Sequence, residues 1–89
     1  VSREELEARM LLLGFTHFGS ASSERDGARW LRKVGFDIKG GRITVRIPPL
    51  RTVGQRDPSI VVFSINGTMR FTYVEDAYKH ILEVMNEQR

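Results

Sequence analysis

Residues 42–47 read Arg-Ile-Thr-Val-Arg-Ile, a strict alternation of polar and apolar side chains that runs into Pro48-Pro49. Successive side chains leave a strand on opposite sides, so a period of two marks a strand with one buried face. The proline pair ends it, since proline has no N–H to give to a ladder. A chain holding this strand must cover Ile43, Val45 and Ile47 with an apolar layer. Arg42, Thr44 and Arg46 are then left on the other face.

Gly40-Gly41 stands just before the strand and reads as a two-residue hairpin turn. That register sets Ile38 against Ile43, Phe36 against Val45 and Val34 against Ile47, with Asp37 on the polar face. A second hairpin, over residues 59–73, is read around Asn66-Gly67. A two-residue turn pairs Ile65 with Thr68 and leaves Val61, Phe63 and Ile65 on the face that carries Arg70. A bulge at Gly67 pairs Ser64 with Thr68 instead. It gathers Val61, Phe63, Met69, Phe71 and Tyr73 on one face, with Ser64, Thr68, Arg70 and Thr72 on the other. One slip exchanges the faces, and the bulge is preferred because it segregates polarity better.

Helix signals flank the hairpins. Ser2-Arg3-Glu4-Glu5 fits a capping box, Leu6, Met10 and Leu13 recur at helical spacing, and Gly14 is a left-handed stop. This predicts a helix over residues 3–13, with Phe15 folding back onto Met10. Leu11 and Leu12 widen the apolar arc, which predicts deep burial at that end. Residues 15–20 read as a short strand. At the other end, Thr72-Tyr73-Val74-Glu75 fits a second capping box. The helix after it has a broad apolar side of Val74, Ala77, Tyr78, Ile81, Leu82, Val84 and Met85, with His80 outside.

Residues 26–36 admit two readings. As a strand they bring Trp30, Val34 and Phe36 together, with Arg32 as the misfit. As a helix they form one stripe of Ala28, Leu31 and Val34 and another of Arg25, Arg29, Arg32 and Lys33. Residue preference favours the helix, and Gly35-Phe36 would repeat the Gly14-Phe15 stop. The fold class expected is α+β. Residues 1–89 form a single small domain with a four- to five-stranded, mostly antiparallel sheet and two or three helices packed mainly on one face.

The 89 residues include no cysteine, which removes disulfides and thiolate metal sites and fits a cytoplasmic location. No apolar run approaches the roughly 18 residues of a membrane span. No cofactor or metal motif is present, and the two histidines, His17 and His80, are scattered. Charge is uneven: residues 25–56 hold nine basic side chains against Asp26 and Asp37, while the whole chain is only +3. A patch attracts a polyanion where a net total need not.

The function expected is therefore non-enzymatic binding of nucleic acid, DNA or RNA, by an accessory or regulatory protein. The candidate residues are Arg42, Arg46 and Arg70 on the sheet, Lys39 and Arg51 near its edges, and Arg29 and Lys33 from the ambiguous segment. The rival expectation is a protein-interaction module or inhibitor that sets the same basic surface, with Val61/Phe63 or Ile60/Val62, against an acidic partner. The tests for zinc fingers, helix-turn-helix and aromatic RNA-binding segments fail, and no interleaving of exposed aromatics is legible. No catalytic residue is assigned. A Ser20 or Ser22 nucleophile with His17 and Asp26 can be written down, but no spacing supports it. The opening helix, its Gly14-Phe15 stop and residues 42–48 loosely resemble small toxin ribonucleases with a double-stranded-RNA-binding-like fold. Those carry a histidine in a Gly-Ser-His context, whereas Gly19-Ser20 here is followed by Ala21, so the activity has no residue to rest on.

Overall fold

The Ser2 hydroxyl accepts from the Glu5 backbone N–H at 3.1 Å and starts α1 (Arg3–Leu12), as its capping-box spacing predicts. The helix ends by a Schellman arrangement in which Phe15 N–H donates to Met10 and Gly14 N–H to Leu11. Gly14 makes this turn at φ +98°, where a side chain would be strained. The computed structural model describes residues 2–19, 27–50 and 58–87. Ser20, Ser22, Arg25, Asp26, Arg51 and Arg56 lie outside the described residues.

Five strands follow: β1 (Thr16–His17), β2 (Arg29–Val34), β3 (Arg42–Ile47), β4 (Ile60–Ser64) and β5 (Gly67–Phe71). They form one sheet in chain order, every pair antiparallel. The last element is α2 (Val74–Glu87), and a hydrogen bond from the Glu75 backbone amide holds that carboxyl below its usual range. The α+β class with a five-stranded sheet and two helices stands as expected. Among the described residues no helix is long and apolar enough to cross a membrane.

The core lies on one face of the sheet. Leu6 and Met10 of α1 and Ala77, Ile81 and Val84 of α2 pack with Leu31, Ile43, Val45, Ile47, Ile60 and Val62. The alternation of β3 is thus realised as read: three apolar side chains in, Arg42, Thr44 and Arg46 out. Deep burial of Leu11 and Leu12 is not found, and Leu12 is 88% exposed. The core needs only the stripe of α1 that holds Leu6 and Met10.

Three local expectations are corrected. Residues 29–34 are strand, not helix. Pairing with β1 on one side and β3 on the other satisfies their backbone, and this tertiary context overrides a weak residue preference. The hairpin register moves as well: Lys33 faces Ile43 and Leu31 faces Val45, while Ile38 is 97% exposed. The turn forms at residues 37–40 rather than at Gly40-Gly41. Asp37 Oδ1 accepts from the Lys39 and Gly41 N–H groups, at 2.9 and 2.8 Å, and locks the loop earlier.

The second hairpin has no bulge. Ser64 pairs with Gly67 and Phe63 with Thr68, closing a two-residue turn at Ile65-Asn66. This places Val61 and Phe63 on the face that carries Arg70, and turns Ile60 and Val62 into the core. His80 is also inside its expected position: half-buried, its ring centroid lies 5.1 Å from that of Phe71.

Candidate functional site

Helices cover one face of the sheet, and register defines what the other face presents. Across the strands one row runs Phe18, Trp30, Arg46, Val61, Arg70. The neighbouring row runs Thr16, Arg32, Thr44, Phe63, Thr68. Val34 and Arg42 pair at the end near the β2–β3 loop. Side chains two residues apart on one strand face the same way, so these rows form one continuous surface.

The surface is built of rings and guanidinium groups. Trp30 and Phe63 stack diagonally across β3, with centroids 6.0 Å apart and planes within 11°. Arg32 lies over the Phe18 ring at 3.6 Å, and its Nε donates to Thr44 Oγ1 at 3.4 Å. Arg46 approaches the Trp30 ring at 5.9 Å. Val61 is only 5% exposed although it lies outside the core cluster. Its register partners on either side are Arg46 and Arg70.

A groove of about 1120 Å³ crosses this face, lined among others by Phe18, Trp30, Arg32, Arg42, Phe63 and Lys39. Asp37 is the one carboxylate among its described lining residues. The other acids whose side chains the structure describes lie on the helices: Glu4, Glu5 and Glu7 on α1, and Glu75, Asp76 and Glu83 on α2. Among the described residues the acids thus sit mainly on the helix side, which also carries Arg3, Arg9, Arg29, Lys33 and Lys79, while the strand residues of the open face carry arginines and no acid. Among the described residues the side chains of Arg42 and Arg70 have no ion-pair partner.

Arg42, Arg46 and Arg70 share one sheet face, and Lys39 lines the groove with Arg42. Arg29 and Lys33 are not. They share the helix-side face with Leu31, where Arg29 Nε lies 3.9 Å from Glu7 and Lys33 Nζ donates to the Leu13 carbonyl. His17 faces the same way and is hydrogen-bonded to Glu7 at 2.8 Å. Sequence reading missed Phe18, Trp30, Arg32 and Phe63 as a group. Their signal was the strand reading of residues 29–34, in which Arg32 looked like a misfit only because that face was taken as buried.

The arrangement offers flat apolar ring surfaces beside cationic, planar hydrogen-bond donors. Arginine forks and threonine hydroxyls suit phosphate oxygens, and exposed rings suit planar heterocycles. The chain matches no protein-family model, no curated protein and no solved structure.

Proposed function

We propose that this chain is a non-enzymatic accessory or regulatory protein of the cytoplasm that binds nucleic acid through the open face of its sheet. The observation that supports this most is the gathering of Arg42, Arg46 and Arg70, with Arg32, on a sheet face that no described helix covers, while the described acids other than Asp37 lie on the helices. A one-signed surface raises the local concentration of a polyanion and steers its approach. The absence of cysteine fits a reducing compartment.

Labelled oligonucleotides titrated at two salt concentrations test this reading. Neutralising about five phosphates gives a slope of log affinity against log salt near −3 to −5. Absence of salt-sensitive binding at low salt would sink it. Recovery of the oligonucleotide uncut is the expected outcome for a non-enzymatic binder.

One observation favours a second reading, an acidic protein partner. Ile38 and Ile65, both highly exposed, stand beside Lys39 and Asn66 of the groove wall, and exposed apolar side chains ringed by polar ones suit a protein surface. A pull-down that enriches an acidic protein and survives nuclease treatment would support it.

A further inference from the structure

The geometry points to a single-stranded nucleic acid as the occupant of the open face, its unpaired bases stacking on the Trp30–Phe63 platform. This rests on the nucleic-acid reading above and narrows it. In a duplex the faces of the bases are already stacked on one another, so exposed rings have nothing to meet. In a single strand every base has a free face, and aromatic side chains beside a cationic track are the usual platform.

Width decides against reading of the major groove. Five strands at about 4.8 Å spacing set the outer strand axes about 19 Å apart, whereas a B-DNA major groove is about 12 Å wide and admits two strands. The open face as a whole cannot enter it. Across a major groove a duplex would touch this face through its phosphates, leaving Trp30, Phe63 and the Phe18–Arg32 pair unused.

The stacking surface is already assembled. Trp30 and Phe63 come from strands on either side of β3 yet lie within 11° of parallel, and Phe63 keeps 37% of its surface exposed. Arg32, packed flat enough on Phe18 to lie 3.6 Å from its centroid, adds a planar cation at the neighbouring position. Arg46 and Arg42 flank this patch on β3, and Arg70 lies beyond Val61 in the Trp30 row. Bases on the rings and phosphates on these guanidinium groups use both kinds of side chain at once.

Trp30 is the only tryptophan, so its emission reports the proposed contact directly. The experiment titrates the intact chain with a mixed-sequence single strand, as RNA and as DNA, and with the same sequence annealed. Both single strands should quench Trp30 emission and bind more tightly than the duplex, and any difference between them identifies the preferred sugar. Phe63→Leu keeps apolar bulk without a ring, with folding checked by circular dichroism. It should weaken single-strand binding about 5- to 100-fold and leave duplex binding unchanged. Single strands that bind without changing Trp30 emission, or a duplex that binds as tightly with Phe63→Leu silent, would overturn stacking while leaving the nucleic-acid reading in place. No binding by any oligonucleotide would overturn both. Poly-glutamate that binds as tightly, with the same emission change, would overturn the inference in favour of an acidic protein.

Discussion

The Lys33 ammonium donates to the Leu13 carbonyl at 2.8 Å, so a residue of the basic block closes the C-terminal end of α1. A cation there meets carbonyls that the helix leaves unpaired, at the negative end of its dipole. Lys33→Met keeps the stem and removes the charge. It should lower unfolding free energy by about 0.5–1 kcal/mol, read from the urea midpoint, and leave oligonucleotide affinity unchanged.

The arginines of the open face should behave in the opposite way. Arg42→Ala with Arg70→Ala removes two side chains that have no ion-pair partner among the described residues. Single-strand affinity should fall and the salt slope should lose about 1.4, or about 0.7 for each phosphate contact, with the melting temperature unmoved. Arg29→Ala, on the helix side near Glu7, should leave the slope alone. A large loss of stability in the double variant would mark those arginines as structural and remove the interface.

How much of this was legible in the sequence differs strand by strand. The alternation of β3 states its own faces, and Arg42 and Arg46 followed from it. β5 was also placed correctly, with Arg70 outside and Met69 and Phe71 inward. β4 was inverted, because Ile60-Val61-Val62-Phe63 is apolar on both faces and no local pattern says which side goes in. Only its neighbours decide: Val62 meets Val45 and Met69, while Phe63 finds Trp30 across the open face. β2 hid for a related reason. Leu31 goes to the core, Lys33 reaches the end of a helix, and Trp30 and Arg32 serve an amphipathic outer face, so the strand period is lost and the helical stripe of Ala28, Leu31 and Val34 misleads. A site made of rings between arginines erases the contrast that sequence reading depends on.

Arg3 ties the start of α1 to two carbonyls ten residues apart. Nη1 donates to Pro48 and Nη2 to Pro58, each at 2.6 Å. A lysine is a point donor and cannot fork between them. Arg3→Lys should therefore cost about 1–2 kcal/mol of stability while conserving charge, measured by chemical denaturation.

His80 carries a fault that can be removed. Its Nε2 is buried with no hydrogen-bond partner among the described residues, and its ring sits against Phe71. A buried nitrogen left unpaired loses its water without recompense, and an apolar replacement avoids that loss. His80→Leu should raise unfolding free energy by about 0.5–1 kcal/mol, seen as a higher melting temperature.

Asp37 joins the fold and the groove, and two substitutions separate its roles. Its Oδ1 holds the β2–β3 loop through the N–H groups of Lys39 and Gly41, while Oδ2 is buried with no hydrogen-bond partner among the described residues. Asp37→Asn retains an oxygen for both N–H groups and removes the one carboxylate among the described lining residues of the groove. Its stability should stay within about 0.5 kcal/mol of the parent, and single-strand affinity should rise as repulsion of phosphate is lifted. Asp37→Ala loses both loop bonds and should cost about 1–2 kcal/mol. Denaturation and titration of the two variants side by side give the answer. Weaker binding by the folded asparagine variant would mean that the carboxylate itself accepts a hydrogen bond from a base amino group, as Asp does from cytosine N4.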